Sequence, residues 1–220
     1  MKIYALPLPN KRLFFHCLPT LQMNQTVTLH DKIVNRVAKT WNNWKMSNST
    51  IKKKVVEFGN YAVNMSGHEE LALREIAAAG KVSNKQLHDS TVVYHAPNIS
   101  SSFVYEQLGK LAMQRQLHSK YLLGNILGLP LTIPVILIPL IPNLPGFYLC
   151  YRAYCNWRAM QGAAQLDRLF DTGAIKLRVL PMLMEACEAF QKGNPASLKK
   201  LVEGETLEDR YRRAINHEST

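Results

Sequence analysis

Thirty-one consecutive residues, Tyr121 to Tyr151 (YLLGNILGLPLTIPVILIPLIPNLPGFYLCY), contain no Asp, Glu, Lys, Arg or His, and this run constrains the chain more than any other feature. A bilayer core of ~30 Å takes about 20 apolar residues as a helix. The run is long enough to cross once and too short to cross twice. Pro130, Pro134, Pro139, Pro142 and Pro145 lie inside it. Each removes a backbone donor and disfavours helix in the residue before it. Neighbouring helices, Thr hydroxyls or water can re-satisfy the freed carbonyls of a membrane helix. The expectation is a kinked transmembrane segment, or a re-entrant hairpin, broken near Pro139 to Pro145. The competing reading is a buried core hairpin of an α-helical domain, which the length and lack of charge disfavour.

The rest of the chain is not of that kind. The mean hydropathy over the 220 residues is slightly negative, so most of the chain meets water and a many-helix transporter is excluded. The formal net charge of +11 sits mostly at the front, where residues 1–120 carry sixteen Lys and Arg against seven Asp and Glu. A basic region beside an apolar run suits anionic lipid head groups, at about 1 kcal/mol for each nearby cation. Nucleic acid is not expected as a partner, because the cations are spread along amphipathic helices without a nucleic-acid motif. Cys17, Cys150, Cys155 and Cys187 form neither a CxxC pair nor a zinc spacing, so no metal or cofactor is expected. No secretory signal opens the sequence, and its acid-poor, basic front shares one feature with mitochondrial import segments.

Two short apolar runs, 3–8 and 13–17, flank Pro9, Asn10, Lys11 and Arg12 and predict a β-hairpin. From Leu29 the spacing turns helical and puts Trp41 and Trp44 on one face, either in a core or at a lipid or partner contact. Lys52, Lys53 and Lys54 form a run that is either a solvated face or a phospholipid contact. Ser66 and Glu69 have capping-box spacing before a helix that Ala77 to Gly80 is expected to end. Thr91 to Tyr94 reads as a strand that pairs with the hairpin. A helix from Ser102 leads through His118 to Lys120, which would mark the membrane edge. Tyr148, Tyr151, Arg152, Trp157 and Arg158 follow the run, and such rings and arginines collect at head groups. From Leu166 the tail reads as alternating short helices.

Fold class and division follow. The expectation is a mainly α membrane protein with a small N-terminal β element, amphipathic helices and one Pro-rich kinked transmembrane or re-entrant hairpin segment. Residues 1–120 would form a basic soluble α+β region, 121–151 the membrane segment, and 152–220 an interfacial helix with a soluble helical tail.

Several blocks together resemble the mitochondrial potassium/proton exchange-related proteins. They are the opening strand with its Asn10-Lys11-Arg12 turn, Trp41-x-x-Trp44, Lys52 to Asn60, the helix around HEELALREI, and His118-Ser119-Lys120. The most specific are Ile141-Pro142-Asn143-Leu144-Pro145 with Phe147-Tyr148, Tyr151-Arg152-Ala153 and Trp157-Arg158-Ala159. The resemblance covers residues 1 to about 170. It implies a protein of the mitochondrial inner membrane linked to exchange of potassium for protons.

Proton-coupled exchange through one chain needs an ionisable group at membrane depth, and the run from 121 to 151 has none. Only Asn125, Thr132, Asn143, tyrosines and backbone carbonyls could meet potassium there. The sequence therefore favours an accessory or assembly component, acting as a homo-oligomer or in a larger membrane complex, with Arg152 facing a partner's carboxylate. The alternative is a membrane-bound scaffold that binds anionic lipid. An enzyme is not expected, since no nucleophile and base pair or phosphate loop is evident.

Overall fold

The computed structural model describes residues 1–18, 39, 42–43, 45–50, 53, 56–57, 67–83, 91–133, 144–194, 198 and 207–218. Strands β1 (Lys2–Pro7) and β2 (Leu13–Leu18) form the N-terminal hairpin, with Ile3 opposite Cys17 and Ala5 opposite Phe15. Leu8 N–H donates to the Arg12 carbonyl across the turn. Helix α1 (His68–Ser83) leads to β3 (Thr91–His95), which pairs with β1 in parallel, Ile3 beside Val93. Helices α2 (Ser101–Met113) and α3 (Arg115–Gly128) follow, then a 3-10 turn over Leu129–Thr132. Helix α4 (Leu144–Asp171) returns to β4 (Ile175–Val179), which lies parallel to β3. Helices α5 (Pro181–Gln191) and α6 (Leu207–Glu218) come last.

The sheet order is β2-β1-β3-β4. From Ile3 onward its interior strand β1 is an unbroken apolar run, as a strand covered on both faces requires. Ile3, Ala5 and Leu6 have no exposed surface. Tyr4 stacks on its register partner Tyr94, with ring centroids 5.4 Å apart. One core joins the sheet to helices before and after it, from Leu73 and Ile76 through Leu108 and Leu166 to Leu183 and Tyr211.

Two glycines fix where helices go. A Cβ on Gly162 would lie 1.9 Å from the Leu73 carbonyl oxygen, so α4 and α1 cross with their backbones in contact. Gly173, at φ 61°, ends α4: its N–H donates to the Phe170 carbonyl and the Ala174 N–H to Leu169, which turns the chain into β4.

The expectation of a mainly α membrane protein is overturned. The fold is α/β around a four-stranded mixed sheet, and among the described residues no helix is long and apolar enough to cross a membrane. The physical reason lies in the run from 121 to 151 itself. Pro130 breaks it, so α3 stops at Gly128 and tightens into the 3-10 turn, while Pro145 enters α4 in its first turn, where its missing N–H costs nothing. Helix α4 then carries Arg152, Asn156, Arg158, Asp167 and Arg168, which no lipid span of that length tolerates. A long stretch without charge marks apolarity, and apolarity alone does not distinguish a span from a helical hairpin.

Candidate functional site

Helices α3 and α4 run antiparallel as a hairpin, held at its base by charge and at its far end by apolar contact. Gln114, His118, Leu122 and Asn125 recur every three or four residues on the side of α3 that is least exposed. Spacing of this kind puts them on one face. His118 lies 2.9 Å from the Asn156 Oδ1, and Asn156 in turn donates from Nδ2 to the Arg152 carbonyl at 2.9 Å. That makes the His118 Nδ1 the donor, because the amide oxygen can only accept. The Nε2 of His118 is buried without a hydrogen bond.

One turn back along both helices, the hairpin is tied to α1. Arg152 donates from both terminal nitrogens to the two Glu70 oxygens at 3.0 Å each, a bidentate pair with Glu70 nearly covered and Arg152 largely so. Arg74 stands 4.0 Å from the same carboxylate, and Gln114 donates to Glu69. Burial works against the charge on Arg152, but the Glu70 carboxylate outweighs it and holds the guanidinium pKa above its ordinary value. Tyr151 and Cys155 extend the cluster, and burial raises both of their pKa values.

Beyond His118 the hairpin changes character. Its far end exposes Leu127, Leu131, Ile133 and Phe147, with Leu131 at 81% and Phe147 at 69%. Between Glu106 and Asp167 the chain has no acid, whereas Arg115 and Lys120 are exposed near the start of α3. The arrangement is thus an apolar end on a base that carries exposed cations and is locked by the buried Glu70–Arg152 pair. An uncovered apolar end of this kind has the character of a contact surface. Among the described residues no cluster of His, Cys, Asp and Glu could hold a metal ion.

The residues singled out from the sequence divide accordingly. His118 is buried at the α3–α4 interface, while Lys120 is exposed beside it. Arg152, the expected contact for a partner's carboxylate, meets Glu70 of its own chain. Arg158 is buried and donates to Gln161 at 3.2 Å, and Trp157 lies 6.1 Å from the Tyr154 ring. Tyr148, Tyr151 and Asn125 are half-buried along the hairpin, and Pro130, Pro145 and Lys53 are exposed. Trp41, Trp44, Lys52, Lys54, Pro134, Pro139, Pro142 and Asn143 lie outside the described residues. Sequence reasoning missed Glu70, Arg74 and Asn156. Glu70 stands in the HEELALREI block, but only the fold shows that its partner is 82 residues away. A Ser–His pair also went unseen: His95 is buried, with Nδ1 3.0 Å from the Ala96 carbonyl and Nε2 3.1 Å from the Ser101 Oγ, which joins the end of β3 to the start of α2.

Residues 2–170 match the family described as mitochondrial K+-H+ exchange-related. The chain belongs to this family. The match holds every member of the Glu70–Arg152–Asn156–His118 cluster and the whole hairpin, whereas β4, α5 and α6 lie beyond it. An uncharacterized protein of Schizosaccharomyces pombe is 46% identical over 218 residues, which cover 99% of this chain and 96% of that protein. An uncharacterized protein of Saccharomyces cerevisiae is 32% identical over 213 residues, covering 83% of this chain and 67% of that one. No solved structure matches the chain. The alignment with the Schizosaccharomyces pombe protein takes in nearly the full chain, C-terminal strand and helices included.

Proposed function

We propose that the chain is an accessory or assembly component of potassium/proton exchange at the mitochondrial inner membrane, and that the α3–α4 hairpin is the part that engages the exchanger. The observation that carries this reading is the exposed, charge-free far end of the hairpin above a base fixed by the Glu70–Arg152 pair. Soluble monomers rarely leave contiguous apolar patches larger than about 300–600 Å² uncovered, and a patch beyond that size marks an interaction surface.

Ion transfer by this chain alone is a poorer reading. A proton-coupled carrier needs a carboxylate free to hold a cation and a proton in turn. The buried carboxylate nearest the hairpin, Glu70, is occupied by Arg152 and flanked by Arg74. Potassium-acetate swelling of mitochondria tests the proposal. Swelling is lost when the chain is deleted, and purified chain in liposomes gives no proton-coupled potassium flux. Flux from the purified chain would overturn the accessory role.

A second reading, a scaffold that binds anionic lipid and affects ion balance indirectly, is favoured by the exposed Arg115 and Lys120 in the first half of α3, on the same hairpin as the apolar end. It requires binding to cardiolipin vesicles that weakens with salt, and normal swelling kinetics once membrane potential and volume are matched.

A further inference from the structure

The exposed apolar side chains of α3 are not scattered. Met113, Leu117, Tyr121, Gly124, Leu127 and Leu131 recur at intervals of four, four, three, three and four. That spacing draws one stripe along the helix and its flanking turns, on the side away from the buried His118. Leu117, Tyr121, Leu127, Met113 and Leu131 are 44%, 52%, 66%, 79% and 81% exposed. At its middle Gly124 has open space, with no atom within 4 Å of where a Cβ would stand.

We infer that a second copy of this chain covers the stripe, packing α3 against α3 antiparallel about a two-fold axis at Gly124. This rests on the assembly role proposed above and names the partner for one face of the hairpin. Three observations favour a second copy. The stripe is self-complementary under that axis: Leu117 meets Leu131 of the partner, Tyr121 meets Leu127, and Gly124 meets its own equivalent, so the smallest residue lies where the helices cross. A two-fold contact of this kind uses the same patch on both copies.

Charge supplies the direction. Parallel pairing would set Lys120 against Lys120. Antiparallel pairing sets each Lys120 beside Gly128, at the C-terminal end of the partner's α3, where the helix dipole is negative and the last turn holds no cation of its own. The area suffices as well. Five large apolar residues of the stripe, Met113, Leu117, Tyr121, Leu127 and Leu131, are more than a third exposed. At roughly 100 Å² apiece they give each copy ~500 Å², so that the pair buries the ~1,000 Å² in total that a specific interface needs at least. Leu123, Ile126 and Ile133 stay uncovered on another face, so a larger complex can still engage the dimer.

The test uses full-length chain in detergent-free buffer, with the exposed Cys150 changed to Ser. Sedimentation velocity is expected to give a dimer, and Leu127→Glu to give a monomer of unchanged circular dichroism. Mild oxidation of Gly124→Cys is expected to link two chains through the axis. Lys120→Cys, displaced about 12 Å from its equivalent, should link at most a tenth as fast. A chain that is monomeric at tens of micromolar, or that binds only cardiolipin vesicles, overturns the inference. So does equal cross-linking at the two positions. The accessory role fails by a different result: a dimer whose deletion leaves potassium-acetate swelling intact removes that role and spares the dimer, and a monomer whose deletion abolishes swelling does the reverse.

Discussion

Glu70 and Arg152 meet 82 residues apart in sequence, and the pair sets what single substitutions near the hairpin base will cost. Removing one member of a largely buried ion pair leaves the other without compensation, typically at about 3–5 kcal/mol, and partial exposure of Arg152 puts this case near the low end. Glu70→Ala and Arg152→Ala are each expected to lower stability by about 3 kcal/mol in urea unfolding. The double variant should lose clearly less than their sum. The sequence names Arg152 as a residue of interest but gives it the wrong carboxylate, because a salt bridge between distant helices leaves no local pattern. His118 is visible for the same reason Asn156 is not: an imidazole stands out in a list of residues, while a buried amide does so only once its partner is known. The thiols make a separate test. Burial pushes Cys187 up to about 11 and Cys17 up to about 12, from an unfolded value of 9.0. The unfolded chain therefore loses these protons first, so their contribution to stability is intact below pH 9 and falls as pH rises toward 11 and 12. Unfolding midpoints measured from pH 8 to 11 should decline, and should decline less in Cys17→Ala with Cys187→Ala.

Elements were legible where local pattern decides them. The β1–β2 hairpin, the strand at Thr91, its pairing with that hairpin, a helix opening beside Ser102 and the helix after Pro181 all follow from apolar spacing and from turn or proline punctuation, although the single helix expected from Ser102 to Lys120 is two, α2 and α3, which meet at Gln114. Strand β4 was not legible. Ile175–Val179 alternates apolar residues with Lys176 and Arg178 at a sheet edge, and so few alternations in a tail rich in both charges read as helix. Charged side chains on an edge strand serve to block further pairing. Helix α1 runs on past Gly80 to Ser83, and α4 is one continuous helix although the sequence presents its parts as separate segments. Gly162 is where these two helices are most sensitive. Gly162→Ala drives a methyl group into the Leu73 carbonyl and is expected to cost about 2–3 kcal/mol, or ~5–10 °C in Tm by calorimetry. Gly109→Ala, which has open space at its Cβ within α2, should be neutral or slightly stabilising in the same experiment.

At the scale of the whole molecule, a sheet closed by β4 carries a helical hairpin whose base is polar, ion-paired and fixed to α1, and whose end is apolar and uncovered. The unbroken absence of charge from 121 to 151 pointed to a membrane segment, whereas the prolines, with Pro130 in the 3-10 turn and Pro145 opening α4, break the run between two helices that pack as a hairpin. The proposed role, in which the chain supports exchange by holding an apolar surface in place, is supported by membership in the exchange-related family and by the buried, ion-paired state of Glu70. The most direct measurement is potassium-acetate swelling in mitochondria that lack the chain and receive it back as wild type or as Leu123→Glu with Ile126→Glu, on the hairpin face that the dimer leaves open. Wild type is expected to restore swelling, and the double variant, present at the same level and with the same melting curve, is expected to leave it at least tenfold slower. Full restoration by the double variant would contradict the assignment of the hairpin as the surface through which this chain acts.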